Sequence, residues 1–206
     1  MRDQSERDLG QHLETALRGA IIGERWIKCA FAITVTVLEG EEDCWWLEQV
    51  TDGNEGTTGG AWGIMAVLAG CITVASAAII DAGIDCVGLL VGGFAGSVGT
   101  SKTSAKGKGT TSEGNEGQQL LLDPCPSEHN NLQSACVVGY LEERDEVTEI
   151  WMQGNIETDV QNLVDRAVEA AVITRKVLAE AVTESASAKF PELRDTGASE
   201  DVDMAG

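Results

Sequence analysis

The chain reads as an α+β domain in which helices lie on one side of a β-sheet. Two long stretches place apolar residues at three- and four-residue steps, shorter stretches alternate or run together, and the order is helix, strand, helix, strand, hairpin, helix. With 206 residues, 43% hydrophobic and 23% charged, the composition is that of a globular chain rather than one disordered throughout. The formal net charge of −20 repels nucleic acid at long range and excludes a DNA-binding domain with a basic face. Local basic loops remain available for a polyanion.

Residues 5–22 predict an amphipathic helix. Ser5 and Asp8 resemble a capping box, and Leu9, Leu13, Ala16, Leu17 and Ala20 share one face. In residues 29–37 the period drops to two, with Cys29, Phe31, Ile33, Val35 and Val37 alternating against smaller residues, which predicts a strand. Residues 39–60 hold acids, glycines and the pair Trp45 and Trp46 and read as a polar insertion; the tryptophans either fold back or meet a partner.

Residues 57–80 carry no charge over a length that could cross a bilayer. Interruption by Gly, Ser and Thr, and acidic flanks at Glu55 and Asp81 without a basic anchor, favour a helix buried by a sheet over residues 62–80. Gly83 is placed to end it in the left-handed conformation. Residues 86–94 are almost continuously apolar, which suits a strand covered on both faces.

Residues 96–118, rich in Gly, Ser, Thr and Lys, predict a mobile loop. Leu120 to Leu122 restore order. A hairpin follows, residues 135–141 and 147–152 around Glu143, Arg144 and Asp145. Thr158 and Gln161 form a second capping-box candidate for a helix running through Val160, Leu163, Val164, Ala167, Val168 and Ala171 to about Val182. The domain is expected over residues 1–188, and the acidic residues 189–206 as a disordered tail.

Chemistry-bearing motifs are sparse. The six cysteines, Cys29, Cys44, Cys71, Cys86, Cys125 and Cys136, form no Cys-x-x-Cys pair, and residues 1–19 are polar rather than signal-like, so a reduced intracellular protein is expected. Gly96-Ser-Val-Gly-Thr-Ser-Lys102-Thr103 approaches a phosphate-binding loop, but Ser101 replaces the second glycine and no helix former follows. Cys125, His129 and Cys136 lack the fourth ligand of a structural zinc site, and neither His12 nor His129 sits beside a nucleophile motif. Asp81 with Asp85, or Asp123 with Glu128, could pair, yet pairs arise by chance in so acidic a chain. No metal and no cofactor are expected. Lys102, Lys106 and Lys108 form the basic cluster; on a glycine-rich loop they either follow a phosphate backbone or simply solvate it.

Four stretches resemble the RNase PH family, and within it the eukaryotic RNA exosome ring subunits. They are Ser5-Glu-Arg-Asp-Leu with residues 13–17; Ile33-Thr-Val-Thr-Val-Leu-Glu; Ile72-Thr-Val-Ala-Ser-Ala-Ala-Ile-Ile-Asp-Ala-Gly-Ile84, the most specific; and Leu120-Leu-Leu-Asp-Pro124 with Val147-Thr-Glu-Ile-Trp-Met-Gln-Gly154. The resemblance implies a two-layer fold like ribosomal protein S5 domain 2. It also implies that strands ahead of Ser5 are missing, so the domain is expected to be N-terminally incomplete.

Phosphorolytic members of that family use acids in the segment after the strand ending at Leu122. Asp123 matches, but Asn131, Leu132 and Gln133 stand where acids are required, and a neutral amide can neither act as general acid nor hold a metal as a carboxylate does. The resemblance therefore implies a non-enzymatic structural subunit of the exosome core ring, supporting 3'-5' RNA processing and degradation, rRNA processing included. Its implied partners are other RNase PH-like subunits in a hetero-hexameric ring, S1/KH-type cap subunits, an associated exoribonuclease and single-stranded RNA, in nucleus, nucleolus and cytoplasm and without a membrane. Lys102, Lys106 and Lys108 would be the RNA contacts. The alternative is an active phosphorolytic 3'-5' exoribonuclease.

Overall fold

The computed structural model describes residues 2–38, 62–99, 118–125, 128–129, 132–154 and 160–190. Its elements are helix α1 (Arg2–Ala20), a one-turn 3-10 helix (Gly23–Trp26), helix α2 (Trp62–Asp81), strands β1 (Leu90–Gly99), β2 (Gln118–Leu122), β3 (Leu132–Leu141) and β4 (Glu146–Gly154), and helix α3 (Val160–Lys189). The strands form one antiparallel sheet in the order β2-β1-β3-β4.

The helices cover both faces of this sheet, not one. Adjacent strand residues point to opposite faces, and the adjacent pair Gly92 and Gly93 in β1 meets a different helix on each. A Cβ on Gly92 would lie 2.1 Å from the Ala69 carbonyl oxygen of α2, and one on Gly93 2.0 Å from the Ala167 carbonyl oxygen of α3. Two cores result. Leu90, Phe94, Val137 and Leu141 pack with α1 and α2, while Ala95, Cys136, Val138 and Tyr140 pack with Leu163, Ala167 and Ala171 of α3. The continuous burial of β1 and β3 follows, as the apolar run in β1 requires.

Helix α2 is long and apolar enough to cross a membrane, but its polar residues are used by the sheet. The Leu90 amide donates to Ser76 Oγ at 3.1 Å and the Gly92 amide to Thr73 Oγ1 at 3.0 Å. Met65, Leu68 and Ile72 are fully buried, and Gly83 ends the helix at φ 73°. The hairpin of β3 and β4 forms as expected, with Asp145 left-handed at φ 52°. Arg175 of α3 braces this turn, reaching Glu142 at 2.8 Å and Glu143 at 2.7 Å.

Four boundaries differ from the sequence reading. Helix α1 begins at Arg2, so Ser5 lies within it rather than at its N-terminus. Residues 29–37 place Ile33 and Val35 against the core, yet take no regular structure and pair with no strand among the described residues; a strand exists only through a ladder partner. Cys86 makes an isolated bridge with Ile21, and β1 starts at Leu90 and runs on to Gly99, so residues 96–99 belong to a strand rather than a loop, as does Gln118. Helix α3 extends to Lys189, where its end is tied to Asp81. The insertion with Trp45 and Trp46, Thr158, most of the loop after Gly99 and most of the acidic tail lie outside the described residues.

Candidate functional site

The segment that leaves β2 is where catalytic acids would have to stand. Asp123 adopts φ 43°, a left-handed conformation that Asp tolerates better than most residues. Its amide donates to the Phe94 carbonyl at 2.9 Å, which fastens the segment to β1. Burial pushes the Asp123 carboxyl above the ordinary carboxylate range. Pro124 is buried, and the Cys125 carbonyl then accepts from the Glu128 and His129 amides at 3.1 and 3.0 Å, closing a turn.

Leu132, one of the positions where an acid is required, is 8% exposed and belongs to the α1/α2-side core. It packs over Gly96 beside Pro124. Gln133 is exposed, Ser134 is bonded to Ser97 across the strands at 2.6 Å, and Asn131 lies outside the described residues. Among the described residues no group of three or more His, Cys, Asp or Glu side chains is placed to hold a metal ion. Among its described residues the segment offers Asp123 and Glu128 as carboxylates, with Leu132, at the start of β3, packed into the core.

The remaining candidates fare similarly. In the phosphate-loop-like stretch, residues 96–99 are in the ladder with Leu121 to Gln118, so their amides are not free to cradle a phosphate; Lys102 and Thr103 lie outside the described residues, as do Lys106 and Lys108. Cys136 is fully buried in the α3-side core, and burial raises its thiol to about 12. A thiol held neutral is neither ligand nor nucleophile. Alkylation with iodoacetamide at neutral pH should therefore modify exposed Cys29 in the native protein and reach Cys136 only on unfolding, as peptide mass spectrometry would read; Cys136 reacting as fast as Cys29 would contradict this packing.

Sequence reasoning missed a polar seam. A bulge between Gly139 and Tyr140 lets both Thr148 and Glu149 of β4 face α1. Glu149 Oε1 lies 2.7 Å from His12 Nδ1, and the His12 ring stacks on Trp151 at 4.5 Å and 11°. His12 thus joins α1 to β4. A local pattern could not reveal this, because the partners are 137 positions apart.

No family model matches the chain. It is 41% identical over 189 residues to the protein named exosome complex component MTR3 from Chaetomium thermophilum. The match takes in 90% of this chain and 60% of that relative, so the chain spans less than two thirds of the relative's length. Identity of that degree over 90% of the chain agrees with the motifs in residues 72–84 and 147–154. Over most of its length, then, the chain is similar to an exosome complex component.

Proposed function

We propose that the chain acts as a non-catalytic structural subunit of the exosome core ring, supporting 3'-5' RNA processing and degradation through assembly and RNA guidance. The observation that carries this reading is Leu132. The position that would need a carboxylate is occupied by a core side chain, and no group of three or more potential metal ligands forms among the described residues. Similarity to an exosome component supplies the setting. Its neighbours would be other RNase PH-like subunits in a hetero-hexameric ring, with S1/KH-type cap subunits and an associated exoribonuclease, in nucleus, nucleolus and cytoplasm. Lys102, Lys106 and Lys108 are the proposed contacts to single-stranded RNA, which needs cations along its backbone.

The test is to incubate the purified chain, alone and assembled with RNase PH-like subunits, with single-stranded RNA and inorganic phosphate. No release of nucleoside diphosphates attributable to this chain is expected, and Asp123→Asn should leave the output of the assembly unchanged. Phosphate-dependent nucleoside diphosphate release by the wild-type chain, abolished in Asp123→Asn, would establish the phosphorolytic alternative instead.

A further inference from the structure

Residues 30–38 leave their backbone unused. The Cys29 amide donates to the Trp26 carbonyl at 3.1 Å, but from residue 30 to Leu38 no backbone hydrogen bond joins the segment to another described residue. Its side chains nevertheless keep a two-residue period. Ile33 and Val35 are half-buried against the core of α1 and α2, whereas Ala32, Thr34 and Thr36 are exposed. Val37 continues the inward face but is 52% exposed, and Leu38 is 93% exposed. One face of a strand is thus seated, with a row of amides and carbonyls and an uncovered valine beside it.

We propose that residues 44–50, which lie outside the described residues, fold back on residues 32–38 as the second strand of an antiparallel hairpin. The run Cys44-Trp45-Trp46-Leu47-Glu48-Gln49-Val50 holds no Gly or Pro and one charge, and Trp45, Trp46 and Val50 are strand formers. Glu39-Gly-Glu-Glu-Asp43 ahead of it is a link of hairpin length, and Asp52-Gly-Asn54 after it marks where pairing stops. A link over residues 39–43 opposes Leu38 to Cys44 and, stepping back, Val37 to Trp45, Thr36 to Trp46, Val35 to Leu47 and Ala32 to Val50. Opposed residues share a face. Trp45 and Leu47 therefore come to the core side, where Trp45 covers Val37, and Trp46 goes to the outer side with Thr36. Other occupants fit less well. Residues 100–117 hold no apolar residue larger than alanine, and a second copy brings the same net charge of −20 without the short tether.

Hydrogen exchange and nuclear Overhauser contacts on the full chain test this. In monomeric wild type, the amides of residues 32–38 and 44–50 should be protected together, with cross-strand contacts linking Thr36 to Trp46 and Thr34 to Glu48. Trp46→Pro and Leu47→Pro alter adjacent positions, so one of them removes an amide that faces residues 32–38. That variant should speed exchange across residues 32–38 at least tenfold while α2 keeps its wild-type rates, and Asn54→Pro, beyond the pairing, should change neither. Should both strand variants disturb α2, the wild-type contacts decide alone. Open-chain exchange of residues 32–38 in wild type, or protection untouched by both strand variants, overturns the inference. Protection that rises with protein concentration overturns it in favour of a second copy.

Discussion

Gly93→Ala is expected to destabilise the domain by about 3 kcal/mol, the upper end of what overpacking produces. The added methyl would sit 2.0 Å from the Ala167 carbonyl oxygen and 2.7 Å from the Ala171 amide nitrogen. Both are backbone atoms in the middle of α3, so no side chain can swing aside; the whole helix must lift from β1 and release Ala167 and Ala171 from the core. Gly92→Ala meets the Ala69 backbone of α2 in the same way on the other face. For a chain of this size the loss corresponds to a fall in Tm of about 10 °C. Gly70→Ala is the control: it lies on the exposed side of α2 with nothing within 4 Å, and should gain about 1 kcal/mol from helix propensity. A Gly93→Ala variant melting within a degree or two of wild type would mean that α3 is not seated on β1 as described.

Leu132→Asp is expected to cost at least about 3 kcal/mol and to restore no phosphorolysis. The substitution removes a buried leucine, worth about 2 to 5 kcal/mol in comparable sites. It also places a carboxylate against Gly96 and Pro124, with no described cation among those contacts to pair it. An acid in the sequence is therefore insufficient, because the surrounding packing was built for an aliphatic side chain. Chemical denaturation with RNA-plus-phosphate turnover measured on the same sample checks both halves. A stable variant releasing nucleoside diphosphates would show that the missing acid alone had silenced the site.

What could be read from the amino-acid order depended on how local the determining contacts are. The hairpin was legible because its strands meet through four turn residues, and the stop of α2 because Gly83 acts on its own helix. Residues 29–37 have the right alternation for a strand, but pairing is a property of two segments. Residues 96–99 look like loop because glycine and serine suggest freedom; in the sheet Ser97 joins a buried hydroxyl pair and Gly96 yields space to Leu132. The two-sided covering was partly visible. A continuous apolar strand asks for two covers, and the Gly92-Gly93 pair offers each a close approach, yet the order of elements alone suggested a single layer. Beyond Val182, α3 is polar and mostly exposed, so periodicity underestimates its length. At the site, the shortage of acids was legible residue by residue, whereas the burial of Leu132 and the His12 seam needed coordinates.

The seam between α1 and β4 also orders events during synthesis. His12 is translated 137 positions ahead of its partner Glu149, so α1 has no β4 to rest on until that strand has followed it out of the ribosome. Through that interval its apolar stripe of Leu13, Ala16 and Leu17 has only α2 or a chaperone to cover it.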